Sequence, residues 1–250
     1  MIYNYNIFMF EEKSNDEILD EMLNILCKES EIKLPKNLSI TDKREVLNNL
    51  MLIRPIGYLD EYFVNLQNEF LKREMQDKLI SLDNIKYNKK GMFISADILN
   101  LKADMIVIFT YRLFADVNLG TDNIDTELIL RGGVNINEDF AKIYYDNNAV
   151  YSYKEPYIVP GYNLPSQYVA KILLPDISKK MLKEDEDNLK QSISNLFDFI
   201  KTKKLKIVAI DLTNFSKQNS GESLEKFVID ECLKNLKSKK IKINIIFCKK

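Results

Sequence analysis

The sequence predicts an α/β fold with a largely parallel sheet, preceded by a mainly helical segment. Three observations carry this expectation. Apolar, β-branched runs of strand length recur at ADMIVIFTY, LPSQYVAKILLP, KIVAIDL and KINIIFC, as expected of strands buried on both faces. The last three are separated by stretches with helical apolar spacing, and strand–helix–strand order at this interval favours parallel pairing. Residues 1–80 instead place their apolar positions at helical spacing.

The elements follow in order. Residues 1–10 alternate polar and apolar side chains in YNYNIFMF, which suits a short strand. Ser14-Asn15-Asp16 precedes a helix over Glu17–Cys27, with Ile18, Met22, Ile25 and Leu26 on one side. LPKNLSITD breaks it. Thr41 or Asp42 can cap the next helix, with Glu45 in its first turn. That helix stops near Arg54, because Pro55 disfavours a helical residue before it. A third helix carries Phe63, Leu66, Phe70 and Met75 on one stripe. The pattern changes near Tyr87: GMFISADIL reads as a strand followed by an Asp-containing turn, and ADMIVIFTY as a buried strand. LPSQYVAKILLP is a strand bounded by prolines. Glu184–Thr202 is an amphipathic helix with Leu189, Ile193, Leu196, Phe197 and Ile200 inward, and its first turn is acidic, where the helix dipole favours acids. KIVAIDL is a strand, Ser223–Asn235 a helix and KINIIFC a last strand.

Composition narrows the function classes. A chain of 250 residues can bury a full core. Seven glycines and six prolines argue against long flexible linkers. The net charge of −1 gives no overall attraction to nucleic acid or membrane. Within residues 171–250 lysines outnumber acids 18 to 11, but without arginine or interleaved aromatics this reads as a solvated face rather than a nucleic-acid patch. Cys27, Cys232 and Cys248 are odd in number and far apart, with no CxxC or Cys/His spacing, so they read as buried free thiols. The N-terminus has no basic region followed by an apolar stretch, and no segment is long enough to span a bilayer. A cytoplasmic setting is the expectation. The absence of histidine excludes any Ser-His-Asp or Cys-His machinery.

Five segments, in order, resemble a known family. LNNLMLIRPIGYLDEYFVNLQNEFLKREMQDK resembles a helical segment that leads it. ISADILNLKADMIVI resembles its strand–turn–strand. DNIDTELILRGG falls where it has a Cys-Ile-Asp-Asn stretch ending in Ala-Ala-Gly. YIVPGYNLPSQYV follows its Gly-Tyr-Asn-Leu-Pro segment. KEDEDNLKQSISNLFDFIKTKKLKIVAIDL matches its late helix and strand. The family is the macro domain, and more narrowly the microbial zinc-containing macro-domain proteins that hydrolyse ADP-ribose from proteins. The likeness covers about residues 45–250. It implies a three-layer α/β/α fold with a mixed, largely parallel sheet over residues 86–250. Residues 1–85 form a mainly helical extension packed on it.

The resemblance places the adenine-recognising aspartate on Asp97, followed by Ile98. The family's next strand leads into an Asn-Ala-Ala-Asn run that contacts ribose and positions the catalytic water; here that place reads Ile108-Phe109-Thr110-Tyr111. The zinc-bearing loop of cysteines and histidine falls near Phe114–Ile129, which has no thiol or imidazole, and the family's histidine in the strand after Gly-Tyr-Asn-Leu-Pro falls on Lys171. The glycine-rich phosphate loop falls on Asn214–Gly221, NFSKQNSG. A zinc site of this type needs thiolate and imidazole ligands, so the expectation is no metal and no cofactor. The changed loop also adds Cβ atoms where backbone must approach a pyrophosphate closely.

The expected ligand-binding residues are Asp97, Ile98, Tyr111, Asn214, Ser216 and Asn219. Each has a plainer reading. Asp97 suits an adenine amino group or a turn cap equally. Tyr111, beside Arg112, can stack on a ligand but more simply fills the old pocket. Asn214, Ser216 and Asn219 lie after a buried strand, where ligands bind in open sheets, yet a solvated loop is the simpler reading. Arg131-Gly132-Gly133 reads first as a turn ending an element and second as an anion-binding turn. The expected protein is therefore macro-domain-like and related to protein-ADP-ribose hydrolases, with catalysis lost and ADP-ribose or nucleotide binding kept. Its partners would be ADP-ribose or an ADP-ribosylated protein, with no nucleic acid and no membrane. One alternative is an active hydrolase with a rebuilt non-zinc site, using Asp122, Asp125 or Glu127 with a divalent ion. Another is a non-enzymatic module that holds a protein partner.

Overall fold

The computed structural model describes residues 10, 12–35, 37–53, 60–82, 88, 91–111, 113–114, 123–175, 182–213, 215 and 221–249. Six strands, Met92–Ile94 (β1), Met105–Thr110 (β2), Tyr157–Pro160 (β3), Tyr168–Leu173 (β4), Ile207–Asp211 (β5) and Asn244–Cys248 (β6), form one sheet ordered β1-β6-β5-β2-β4-β3. All neighbours pair in parallel except β3, which runs antiparallel to β4 at the edge. The sheet is thus mixed and largely parallel. Every residue of β2 is buried, the cause of its unbroken apolar run. Met105, Val107 and Phe109 face one side, and Ile106 and Ile108 the other, the period-two alternation of a strand.

Helices cover both faces. Lys183–Lys203 (α6) and Gly221–Ser238 (α7) lie on one side. Leu189, Ile193, Leu196, Phe197 and Ile200 of α6 join Val228, Cys232 and Leu236 of α7 over the sheet. The short 3-10 helix Ile98–Asn100 and the helices Ile124–Gly132 (α4) and Val134–Asp146 (α5) lie on the other side, through Ile98, Leu128, Ile136 and Phe140. Each fully buried Leu, Ile or Phe contributes about 1.5–3 kcal/mol, so these two layers hold the sheet.

Three helices precede them: Asn15–Glu29 (α1), Ile40–Ile53 (α2) and Glu61–Gln76 (α3). Their core of Ile18, Met22, Leu50, Phe63, Leu66 and Phe70 also takes in Leu130 of α4 and Val134 of α5. The helical segment is therefore packed on the sheet-bearing part through a shared apolar cluster. No helix among the described residues is long and apolar enough to cross a membrane.

Several elements differ from expectation. The strand expected over residues 1–10 lies outside the described residues, apart from Phe10. The cap of α2 is Ser39, not Thr41 or Asp42. The Ser39 hydroxyl accepts the Asp42 N–H at 3.2 Å and Asp42 accepts the Ser39 N–H at 3.2 Å, a reciprocal capping box. The α4–α5 pair and β3 were not foreseen. The α4 helix has nine residues, too few for a clear period, and Gly132-Gly133 reads as a stop. Gly133 has φ +94 and joins the two helices directly. β3 has four residues and ends in Pro160, as an edge strand can.

Candidate functional site

Five parallel strands end on one side of the molecule, at Ile94, Cys248, Asp211, Thr110 and Leu173. In open α/β sheets this carboxyl-terminal edge is where ligands bind. Asp97 lies three residues beyond β1. It caps the 3-10 helix, with Oδ1 accepting the Leu99 N–H at 3.1 Å. Its Oδ2 accepts Nη1 of Arg131 at 2.7 Å. The same guanidinium reaches Glu127 at 2.6 Å and Asn100 Oδ1 at 3.2 Å. Burial lowers the Arg131 pKa, but the bond to Asp97 and the charges of Asp97 and Glu127 outweigh it and push the pKa up. Arg131 thus pins the turn after β1 to the last turn of α4.

A second ionic group lies under the end of β2. Lys171, in the middle of β4, and Asp125, in the first turn of α4, are 1% and 3% exposed. Lys171 Nζ is 2.7 Å from Asp125 Oδ1 and donates to the Leu113 carbonyl at 2.9 Å. It also stands 5.0 Å from the centre of the Phe140 ring. Asp125 Oδ2 accepts the Thr110 hydroxyl at 2.6 Å.

Asp211, at the end of β5, is the third. Its Oδ1 accepts the Thr213 N–H at 3.1 Å and the Thr213 hydroxyl at 2.7 Å. Its Oδ2 is buried without a hydrogen bond. Burial pushes the Asp211 carboxyl up, the two Thr213 bonds oppose this, and the charges of Asp125 and Asp97 add to the rise. Cys248 is the register partner of Asp211 on β6. Burial, and then the charges of Asp211 and Asp97, push its thiol up to about 12, which keeps it protonated and unreactive.

Of the residues expected at the site, Asp97 is on this edge and Ile98 is buried in the core beneath it. Tyr111 is 39% exposed, so its ring does not fill a pocket as expected. Phe109 and Phe215 are fully buried, with ring centres 5.5 Å apart, in the core on the α6–α7 side of the sheet. Asn214, Ser216 and Asn219 lie outside the described residues, as do Arg112 and Asp122. Asp125 and Glu127 are both near the edge, but each is engaged by a cation. Arg131-Gly132 ends α4, in line with the turn reading.

The best-kept motif, Gly161–Pro165, lies at the opposite edge, before β4. Asn163 Nδ2 donates to Asn68 Oδ1 of α3 at 2.8 Å and to the Gly132 carbonyl at 3.1 Å. Its work is to join α3, the α4–α5 corner and the sheet. The lysines of the C-terminal third meet acids, in Lys234–Glu231, Lys239–Asp198 and Lys249–Glu225, as a solvated face does.

A family model, described as the macro domain, matches residues 117–221. The chain has the macro-domain fold. It is similar to solved structures of the same fold. One is the Trypanosoma brucei macrodomain in complex with ADP-ribose, 14% identical with a TM-score of 0.53, covering 86% of this chain and 92% of that one. Another is a point mutant of the Oceanobacillus iheyensis macrodomain with ADPR, 17% identical with a TM-score of 0.54, covering 66% and 89%. Among curated proteins the chain is similar to the protein-ADP-ribose hydrolases of two Staphylococcus aureus strains, MSSA476 and MRSA252. Both are 25% identical over 174 residues, 67% of this chain. The match spans 65% of the relatives' length.

The zinc implied by the resemblance does not fit the donors present. The chain has no histidine. Its three cysteines are buried in α1, α7 and β6, too dispersed to form one tetrahedral set. The described residues contain no group of three acids or thiols able to hold a metal ion. Asp211 was missed in the sequence, and Arg131 was read only as part of the Arg131-Gly132-Gly133 turn. Asp211 ends an otherwise apolar strand, which is its signal. Arg131 follows Glu127 by four residues, the spacing of a helical ion pair.

Proposed function

We propose that this macro domain binds ADP-ribose, or a nucleotide sharing its adenosine part, and does not hydrolyse it. The observation that carries the reading is Asp97, a carboxylate held at the ligand edge by the Leu99 N–H and Arg131. A carboxylate offers about four acceptor directions. An adenine amino group would share Asp97 with Arg131, which points to modest affinity. The related proteins named above supply the ligand class.

Loss of hydrolysis is supported by what stands in the places the resemblance assigns to chemistry. Ile108 and Phe109 are wholly buried apolar side chains. Asp125, the acid best placed to serve a rebuilt site, is engaged by Thr110 and Lys171. Glu127 is engaged by Arg131. Three free thiols support a reducing, cytoplasmic setting.

Calorimetry with ADP-ribose on the whole chain tests binding. The expected result is saturable heat that weakens by about tenfold or more in Asp97→Ala, the loss of a charged hydrogen bond. No heat at millimolar ligand would remove the binding reading. A release assay on ADP-ribosylated protein with magnesium, manganese or zinc tests the other half, and turnover abolished by Asp125→Asn would restore a hydrolase.

A further inference from the structure

Lysine is almost never fully buried without a partner, yet Lys171 sits at the centre of the apolar run YVAKILL on a strand buried on both faces. Its ammonium has three N–H donors and no acceptor. Three groups surround it: the Leu113 carbonyl at 2.9 Å, Asp125 Oδ1 at 2.7 Å and the Phe140 ring at 5.0 Å. These come from the chain just after β2, from the first turn of α4 and from α5. One buried cation therefore cross-links three elements to a fourth, β4, which carries it. Asp125 is equally bound, since its second oxygen takes the Thr110 hydroxyl at the end of β2.

Cross-linking of elements distant in sequence by one buried cation is the structural work of a bound metal. The resemblance puts the zinc loop around Asp125 and a histidine at Lys171, and the thiolate and imidazole donors for zinc are missing. We infer that the Lys171 ammonium is a tethered cation that takes a structural metal's place, holding the chain after β2 and the start of α4 on the sheet, so that this domain folds without metal. The clamp thus holds Leu113, just after β2, and Asp125, in the first turn of α4, against the same strand. A divalent ion brought to Asp125 would meet the ammonium first and be repelled by it. This inference is independent of whether ADP-ribose binds.

The test uses the whole chain. Protein prepared in chelator should unfold at the same temperature with and without added zinc, and should hold far less than one equivalent of zinc after dialysis. Lys171→Met leaves Asp125 buried and uncompensated, and should lower Tm by roughly 10 °C. The double variant Lys171→Met with Asp125→Asn removes the orphaned charge and keeps a partner for Thr110, so it should recover more than half of that loss. It also stays informative if the single variant fails to fold. Hydrogen exchange in Lys171→Met should speed up at the amides of Ile124–Gly132 more than at those of α6. One tightly held zinc that raises the wild-type Tm would overturn the inference. So would an unchanged Tm in Lys171→Met, or a double variant no more stable than the single one.

Discussion

Gln67, on α3, accepts the backbone N–H of Val134, the first residue of α5, at 3.0 Å. The preceding residue, Gly133, has no side chain with which to cap α5. A residue of the leading helical segment thus does, from 67 positions away, what an N-cap normally does locally. Gln67 is 1% exposed, and its amide nitrogen faces Met51 Sδ at 3.1 Å. Replacing it with Ala leaves a buried N–H unsatisfied, at a cost of about 1–3 kcal/mol. For a chain of this size the expected fall in Tm is about 2–4 °C per kcal/mol. The control is Gln191→Ala on the surface of α6, which should change Tm little. Equal, small effects for both would remove the cap from the account.

The same contact bears on domain organisation. Leu130 and Val134 belong to the apolar cluster of α1–α3. A chain trimmed to residues 86–250 would expose that cluster and lose the cap together. The expected product is poorly soluble or binds hydrophobic dyes. A trimmed chain with a sharp unfolding transition near that of the full chain would show that the leading helices are dispensable.

Gly161 is demanded by close approach. A Cβ at this position would lie 1.8 Å from the Ser166 carbonyl oxygen, far inside any tolerable contact. The turn cannot open easily, because Gly161 N–H donates to Gln167 O and Leu164 N–H to Gly161 O, both at 2.9 Å. Gly161→Ala should destabilise by more than about 3 kcal/mol, in the range of the severest single changes, and reduce soluble yield. Thermal unfolding of this variant beside Tyr162→Ala, its exposed neighbour, is the measurement. Similar values for the two would contradict the steric argument.

Much of the fold was legible because burial leaves a direct imprint on composition. A strand covered on both faces, such as β2, becomes an unbroken apolar run, and α6 shows its inward stripe at helical spacing. The α4–α5 pair was not legible, because a nine-residue helix joined to the next through Gly133 has neither period nor an ordinary cap. One of the five segments that carried the resemblance, around Asn163, joins the leading helices to the sheet at the edge opposite Asp97. The ionic groups of the site were the least legible. Asp97 and Arg131 are 34 residues apart, and Lys171 and Leu113 are 58 apart. Nothing local in the chain announces such pairs.

Arg131 should not tolerate lysine. Its guanidinium meets Glu127, Asp97 and Asn100 at once, and a single ammonium lacks the planar fork that does so. Both carboxylate partners are under a third exposed, so screening weakens the pairs only in part. Arg131→Lys keeps the charge and should still cost about 1 kcal/mol or more, with Tm falling about 2–4 °C. A lysine variant as stable as wild type would show that charge alone suffices there.

Asp211 makes stability depend on pH in an unusual direction. Most native carboxylates are paired, so their pKa values fall on folding and acid destabilises them. Asp211 is raised above its ordinary value of 3.8, chiefly by burial. The folded state then holds this proton more tightly than the unfolded one. Asp211 is neutral in both states well below 3.8, where it carries no penalty. As pH climbs from that value through the folded-state pKa, the unfolded chain ionises first and stability is lost. Above the folded-state pKa the full penalty persists. Asp211→Asn keeps a carbonyl acceptor for both Thr213 donors and cannot ionise. The variant should therefore match wild type at the acid end and gain on it steadily toward neutral pH. Comparing variant with wild type at each pH removes the titration of carboxylates far from the site, which is common to both. Asp97 and Asp125 lie close enough to couple, and removing the Asp211 charge relieves repulsion on them, which enlarges the same gain. A Tm difference that stays flat across the range, or reverses sign, would mean that the buried Oδ2 carries no charge penalty.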